Sequence, residues 1–345
     1  MTRGFPRRRF ILFALLSVAL SLVVLFATLL VADVYVHSKF DKTGVNVWGY
    51  RGRAVGRKRP GEIRIVVLGG STVLGYGLAP DDAFPHQLEL ALRGSCRPDA
   101  SRFTVVNLGF NNEGAYAFRF TLNDFASLRY DIAVLYEGYN DLGFANLKMT
   151  RHDSPIFRWT GYFPMLPMVA EEKIMVLRVG DIRAAYRGQK TTFKPDAVAK
   201  TKAAALQASV DLYRSIEAQA SRWRPDTAPT VPDDDGCSPY WKFYCHGVHV
   251  GVDSALERGS RVIVVTQPYL GDSHHEQQAE LRAMLTRRYA SDARVRYLNL
   301  GDALETRDPE MCWDGMHLTP RGTEVVGRAL APAVLEAAAL IKSPR

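Results

Sequence analysis

Short apolar runs alternate with longer amphipathic segments along most of the chain. Five runs are rich in β-branched residues and bounded by glycine or polar residues, a pattern typical of buried strands. The predicted strands are 63–69, 103–109, 131–138, 261–270 and 295–300. The intervening segments have helical patterns. The predicted helices are 84–94, 117–128, 171–189, 196–223, 275–290 and 320–341. Strands that alternate with helices indicate a parallel sheet covered on both faces.

Two segments depart from this alternation. Residues 144–170 are rich in aromatic residues, proline and methionine without a clear period, and residues 225–240 form a Pro- and Asp-rich loop. We therefore predict one domain over 61–345 that carries a helical and aromatic insertion at about 144–250. A polar, Gly- and Arg-rich linker is predicted over 33–60.

The most apolar stretch, residues 10–32, contains no charged residue. Its length suits a transmembrane helix, which needs ~20 apolar residues. A cleaved signal peptide is the alternative, but its apolar core is typically ~7–15 residues long. Cleavage after Ala32 would also place Leu30 where a small residue is preferred. The sequence therefore predicts an uncleaved transmembrane anchor.

The formal net charge of +8 and the pI of about 9.3 raise the question of nucleic-acid binding. Much of the basic charge flanks the apolar stretch, including four arginines in a basic tail over residues 1–9. No zinc-finger, RRM or KH pattern accompanies it, so we predict no nucleic-acid partner. The arginines favour a cytoplasmic N-terminus and a catalytic domain outside the cytoplasm, periplasmic or on the cell surface, although Lys39 and Lys42 lie on the far side.

Cysteine and histidine positions give no strong metal-binding pattern. The four cysteines are Cys96, Cys237, Cys245 and Cys312. They allow up to two disulfides in an oxidising compartment, and Cys237 with Cys245 would close a short loop. Buried unpaired thiols are the alternative. No C-x2-C pair indicates zinc, and His274 with His275 is predicted to be a solvated loop pair, so we expect neither a metal nor another cofactor.

The turn after the first predicted strand reads "GGSTVLGYG" and admits three chemistries. A phosphate-binding P-loop has the glycine spacing of Gly70 and Gly75, but Tyr76 stands where that motif requires lysine. A dinucleotide-binding turn needs a third glycine that is missing here. The remaining possibility is that the turn presents Ser71 as a nucleophile.

A serine hydroxyl needs a base that is itself held by a third group. The late segment "CWDGMHLTPRG" supplies Asp314 and His317, three residues apart, which a turn can bring together. The carboxylate can then orient the imidazole and leave its other nitrogen for Ser71. Turn, cap or structural roles for these residues are the alternatives.

Four short blocks occur in the order of a known superfamily. They are "LGGST" at 68–72, "NLGFNNEG" at 107–114, "GYND" at 138–141 and "DGMH" at 314–317. With these blocks the chain resembles the SGNH (GDSL-type) hydrolases over residues 63–322. The resemblance implies a flavodoxin-like three-layer α/β/α sandwich that hydrolyses esters without a metal.

Carried over from the resemblance, Ser71 is the nucleophile, His317 the general base and then acid, and Asp314 the residue that orients the imidazole. The backbone N–H groups of Ser71 and Gly109 and the side chain of Asn140 form the oxyanion hole. The chain departs from the family at Gly70, where aspartate is usual; a GGS block resembles one branch of the superfamily. The departure removes a carboxylate beside the nucleophile.

The aromatic insertion is the best candidate for substrate selection. Its candidate residues are Phe144, Trp159, Tyr162 and Phe163, with Met165 and Met168 beside them. They could line an acyl pocket, enter a membrane interface, or make core contacts with the following helices. The sequence leaves these possibilities open.

We predict a membrane-anchored serine esterase that acts on acyl esters of a lipid, a glycan or a small molecule. Two alternatives remain open. An O-acyltransferase would pass the acyl group to an extracytoplasmic glycan, and a non-catalytic domain would bind a glycan or a partner protein. A non-catalytic domain should lack one of Ser71, Asn140, Asp314 and His317, and all four are present.

Overall fold

The computed structural model describes residues 7–39, 44–95, 102–143, 145–180, 193–222 and 235–341. The chain begins with one long helix, α1 (Arg7–His37). Its apolar part from Arg9 is long and apolar enough to cross a membrane, and its most apolar window is not buried in the protein. The predicted apolar helix is therefore present.

Five parallel strands form one sheet. They are β1 (Ile63–Gly69), β2 (Phe103–Asn107), β3 (Ile132–Tyr136), β4 (Arg261–Thr266) and β5 (Val295–Asn299). Their spatial order is β2-β1-β3-β4-β5, which is the flavodoxin-like order. The predicted fold class and all five predicted strands are confirmed.

Helices follow the strands and cover both faces of the sheet. The α-helices after α1 are α2 (Ser71–Leu74), α3 (Phe84–Arg93), α4 (Phe118–Asp124), α5 (Thr150–Asp153), α6 (Pro155–Thr160), α7 (Leu166–Val179), α8 (Ala197–Ser221), α9 (Lys242–Glu257), α10 (Asp272–Tyr289) and α11 (Pro320–Ala339). Short 3₁₀ turns occur at Pro80–Asp82, Ala115–Ala117, Ala126–Leu128 and Tyr139–Asp141.

The sheet separates two hydrophobic cores because successive side chains of a strand point to opposite faces. Ile65 and Val67 belong to the core formed with α3 and α11. Val66 and Leu68 belong to the core formed with α4, α9 and α10. Each fully buried aliphatic side chain contributes roughly 1.5–3 kcal/mol, so these two layers hold the carboxyl edge of the sheet in place.

Several helices differ from their predicted bounds. The segment predicted as one helix over 117–128 is α4 between two 3₁₀ turns. The helix predicted over 171–189 begins earlier, since Pro167 suits a first helical turn; residues 181–189 lie outside the described residues. Helix α9 was not predicted at all.

The cysteines show both of the states that the sequence left open, a disulfide and a buried unpaired thiol. Cys237 and Cys245 form a disulfide. Cys312 is a free, buried thiol, and burial raises the pKa of this thiol to about 12. Cys96 lies outside the described residues.

The described part of segment 33–60 packs closely on the domain, whereas its composition predicts a polar linker. Val45 and Tyr50 are buried in the core. The backbone N–H of Arg51 donates to the carbonyl oxygen of Asn107 at the end of β2, 3.0 Å away. The chain after α1 therefore runs along the carboxyl edge of the sheet.

Candidate active site

Ser71 is placed by a tight turn at the carboxyl end of β1. A Cβ on Gly69 would lie 2.1 Å from the carbonyl oxygen of Tyr136 on β3, so only glycine allows this approach. Ser71 then begins α2, which ends at Gly75 in the left-handed conformation, with φ of 78°. The serine lies between β1 and β3, where the strand order reverses and ligands of such sheets bind.

His317 links Ser71 to Asp314. The Nε2 atom of His317 is 2.9 Å from Ser71 Oγ, and its Nδ1 atom is 2.7 Å from Asp314 Oδ2. Asp314 Oδ1 accepts the backbone N–H groups of Met316 and His317 at 3.0 and 2.7 Å. A neutral ring protonated on Nδ1 donates to Asp314 and accepts from the serine hydroxyl.

The carboxylate beside the imidazole is held in its ionised form. Burial alone would raise the pKa of Asp314. The hydrogen bonds from the ring and the backbone N–H of His317 and from the backbone N–H of Met316 outweigh burial, so the pKa lies below its ordinary value. Asp314 therefore remains negatively charged at neutral pH, as a group that stabilises an imidazolium must.

Two aromatic side chains pack against the imidazole ring of His317. Trp313 stacks on His317 with a centroid distance of 5.3 Å and an interplanar angle of 17°. Tyr76 contacts the same ring at 5.1 Å. Sequence reasoning missed both residues as parts of the site, although Trp313 directly precedes the block at 314–317 and Tyr76 lies four residues after the block at 68–72.

Asn140 approaches the serine from the end of β3. A Cβ on Gly70 would lie 2.0 Å from Asn140 Nδ2, which places the amide directly against the residue before Ser71. One of its two amide hydrogens goes to the carbonyl oxygen of Glu113, at 3.1 Å. The side chain of Asn140 also bonds to the carboxylate of Glu137, so the amide is held in place beside the serine turn.

The structure does not support Gly109 as an oxyanion donor. Its N–H donates to Asn107 Oδ1 at 3.0 Å, within the same loop. Its Cα packs behind the serine turn, where an added Cβ would lie 2.4 Å from the Leu74 nitrogen. The glycine is required for this close approach, and its donor is already used.

Glu137, at the end of β3, is a site residue that sequence reasoning missed. Its buried carboxylate accepts three backbone N–H groups: from Gly70 at 2.5 Å, from Gly138 at 3.0 Å and from Asn140 at 3.0 Å. It thereby joins the turn that carries Ser71 to the turn that carries Asn140. A charged residue at the end of the apolar strand "IAVLYEG" was the available signal.

Glu137 also occupies the space that a side chain at position 70 would need. A Cβ on Gly70 would lie 2.7 Å from Glu137 Oε2. Burial raises the pKa of Glu137 to about 7, although the three N–H bonds lower it. Asp141, buried nearby, accepts the N–H of Ala115 at 2.9 Å, and burial together with the charge of Glu137 raises its pKa well above the ordinary value.

A groove of about 1250 Å³ opens beside the Ser71–His317 pair, and we call it the substrate groove. Phe163 lines it, as do Met165 and Met168. Trp159 does not line it and is 49% exposed. Tyr162 bonds to Asp33 of α1 instead, and Phe144 lies outside the described residues.

A buried group with metal-ligand chemistry is formed by two histidines of α9 and by Asp235, which precedes that helix. Asp235, His246 and His249 bring their ligand atoms within 4.8 Å of one another. His249 Nδ1 is 3.0 Å from Asp235 Oδ2, and the Arg288 guanidinium is 3.2 Å from Asp235 Oδ1. The positive charge of a guanidinium this close to Asp235 disfavours the binding of a metal cation, so we interpret the group as an ion-pair network.

The histidine pair on α10 differs from the predicted solvated loop. His274 is buried against Tyr139 and Tyr269, and burial lowers its pKa to about 4, with a smaller effect from His275. His275 stacks on Tyr269 with a centroid distance of 3.5 Å. Both rings therefore have packing roles.

A scan against protein-family models finds no match to this chain, and a search of curated proteins also finds none. Solved structures give matches. A lipolytic protein of the G-D-S-L family from Desulfitobacterium hafniense DCB-2 is 11% identical, with 79% of this chain and 99% of that chain covered and a TM-score of 0.41.

Two esterases are similar at the same level. The family 3 carbohydrate esterase of Clostridium thermocellum is 12% identical, with 81% of this chain and 100% of that chain covered and a TM-score of 0.40. A catalytic mutant of an acetylxylan esterase from Geobacillus stearothermophilus is 12% identical, with coverage of 84% and 99% and a TM-score of 0.39. Within this chain, the strand order and the meeting of motif-block residues at one sheet edge are what the resemblance to the SGNH (GDSL-type) superfamily implies.

Proposed function

We propose that this protein is a serine esterase that hydrolyses carboxylic esters at Ser71. The observation that carries the proposal is the position of the His317 ring, 2.9 Å from Ser71 Oγ and 2.7 Å from Asp314 Oδ2. This is the geometry in which a base activates a serine hydroxyl while a carboxylate stabilises the charge that forms on the ring.

Each proton has a defined path in the proposed reaction. Ser71 Oγ attacks the ester carbonyl and gives its proton to His317 Nε2, and Asp314 stabilises the imidazolium. His317 then donates that proton to the departing alcohol oxygen, which leaves an acyl group on Ser71. Water attacks the acyl group, gives a proton to His317, and the carboxylic acid leaves as the proton returns to Ser71.

The negative charge on the carbonyl oxygen needs donors that are already in place. We assign this role to the backbone N–H of Ser71 and the side-chain amide of Asn140. Asn140 lies against the serine turn and its backbone N–H is fixed by Glu137.

The assay that tests this proposal uses the full chain in mild detergent, because Asp33 and His37 of α1 are buried in the domain. We expect saturable release of p-nitrophenol from a series of esters between acetyl and palmitoyl. An added alcohol that captures the acyl group faster than water would point to acyl transfer. Absence of turnover on every ester would contradict the proposal.

Replacing Glu137 by glutamine is expected to lower kcat about tenfold with little change in KM. The amide cannot accept the N–H groups of both Gly70 and Asn140, so the two turns lose their common support, and a 1.4 kcal/mol loss of transition-state stabilisation corresponds to tenfold. Glu89→Gln is the matched control, because Glu89 also accepts a backbone N–H, at 2.7 Å, but on α3. Equal kcat losses in the two variants would show a general stability effect.

We also propose that α1 is retained as an anchor and that the domain lies outside the cytoplasm. The length and apolar character of α1 and the disulfide between Cys237 and Cys245 support this placement. We expect the full-length mass in the membrane fraction after alkaline washing. A soluble protein that begins after Ala32 would contradict the anchor.

A further inference from the structure

The end of α1 is fastened to one wall of the substrate groove. Asp33 Oδ1 accepts the backbone N–H of Met165 at 2.9 Å. His37 Nε2 is 2.8 Å from the carbonyl oxygen of Phe163, and the hydroxyl of Tyr162 also bonds to Asp33. Phe163 and Met165 line the groove, so a single segment separates the groove from α1.

The chain path places α1 at the catalytic edge of the sheet. Soon after α1, Arg51 bonds to Asn107 at the carboxyl end of β2. The chain then runs to Lys58, whose ammonium is 2.6 Å from Asp131 Oδ1. Asp131 directly precedes β3, so Lys58 lies at the amino edge of the sheet. The membrane-spanning helix thus ends at the edge of the sheet that carries Ser71.

Exposed aromatic side chains lie around the end of α1. Tyr35 is 64% exposed, and Trp48 and Trp159 are each 49% exposed. Trp48 lies beside the end of α6, since a Cβ on Gly161 would be 3.8 Å from its ring. Tyrosine and tryptophan favour the membrane–water interface, so this surface has the composition of a membrane-contacting one.

The groove offers apolar surface on the side of α7. Beside the Ser71–His317 pair it is lined by Tyr76 and Trp313, and α7 contributes Met168 and Met175 together with Glu171 and Glu172. Phe163 and Met165 also border the groove but are almost fully buried. Unbranched methionine side chains adapt to flexible apolar ligands. An acyl chain that moves from the bilayer onto this surface keeps its apolar area out of water, at about 0.8 kcal/mol for each CH₂ group.

We propose that the ester substrate is an acyl lipid of the membrane in which α1 lies, and that its acyl chain enters the substrate groove beside the end of α1. The proposal rests on the proposed esterase function. The lipid ester carbonyl reaches Ser71, while the acyl chain packs on the α7 side of the groove. The aromatic surface around Trp48 and Trp159 holds the groove opening at the bilayer.

The test uses the full chain reconstituted in dioleoylphosphatidylcholine vesicles. Release of oleate is measured by mass spectrometry, and hydrolysis of p-nitrophenyl acetate is measured in the same sample. We expect oleate release that is absent in Ser71→Ala. Met168→Glu should lower oleate release at least tenfold more than it lowers p-nitrophenyl acetate hydrolysis. Val198→Glu, which adds the same charge at a 59% exposed position outside the groove lining, should leave both rates unchanged.

The outcomes separate this inference from the proposed function. Hydrolysis of p-nitrophenyl acetate without oleate release above the Ser71→Ala background would overturn the lipid substrate and keep the esterase. Fast deacetylation of a soluble acetylated oligosaccharide in that case would identify a glycan ester as the substrate. Absence of both activities would overturn the esterase and the lipid substrate together.

Discussion

Replacing Ser71 by alanine is expected to lower kcat on a soluble ester by at least ~10⁴-fold, because the Ser71 hydroxyl is the one that His317 Nε2 contacts in the part of the chain that the structure describes. His317→Ala is expected to cause a similar loss. The two residues act as a unit, so the double variant should be no slower than either single variant. Steady-state kinetics of p-nitrophenyl butyrate hydrolysis by the full chain measure these effects.

The matched control for this result is Ser215→Ala. Ser215 is exposed on α8, and its hydroxyl bonds only locally, to the carbonyl oxygen of Leu212. Its replacement should leave kcat unchanged. Substantial ester hydrolysis by the Ser71→Ala protein, at a rate close to the unsubstituted protein, would exclude Ser71 as the nucleophile.

The second large effect is expected at Asn140. Asn140→Ala should lower kcat by ~10²–10³-fold with little change in KM, because the amide is assigned to the charge that develops on the carbonyl oxygen in the transition state. Asn140→Asp should be at least as slow, since a carboxylate repels that charge. The measurement is the separate determination of kcat and KM for each variant.

Asn123→Ala is the control for Asn140. Asn123 is exposed on α4, where its side chain pairs with Arg258. It should retain full activity. A loss at Asn140 confined to KM would assign the amide to ground-state binding and leave the transition-state charge to other donors.

The sheet and the Ser71–His317–Asp314 arrangement are predictable from sequence because their signals are local. Each strand is a continuous apolar run, and in a parallel sheet the residues after such runs meet at one edge. Asp314 and His317 are three residues apart. Only the distance between Ser71 and His317 depends on the whole fold.

Partner choice within the loops could not be predicted in the same way. The sequence does not reveal the hydrogen-bond partner of the Gly109 N–H. The structure shows that Asn107 Oδ1 accepts it. Glu137 is an isolated acidic residue at the end of a strand, and its link to Gly70 spans 67 residues of sequence. Long-range hydrogen bonds of this kind leave no periodic pattern.

Helix α9 escaped prediction because its glycines lower helix propensity. Gly247 and Gly251 lie against the start of α4: a Cβ on Gly247 would be 2.8 Å from the Tyr116 nitrogen, and one on Gly251 would be 2.7 Å from Phe118 Cβ. Close packing against a neighbouring segment selects glycine here and outweighs propensity. Segment 33–60 was wrongly predicted to be a linker, because its composition is polar overall although Val45 and Tyr50 are buried.

The most direct test of the central claim is covalent labelling of the full chain with a fluorophosphonate, followed by peptide mass spectrometry. Such a reagent reacts preferentially with an activated serine hydroxyl, which the contact between Ser71 and His317 supplies. The account predicts one phosphonyl group per chain, on Ser71, that is lost in both Ser71→Ala and His317→Ala. A label on a different residue, or an unlabelled Ser71 in a protein that hydrolyses esters, would contradict it.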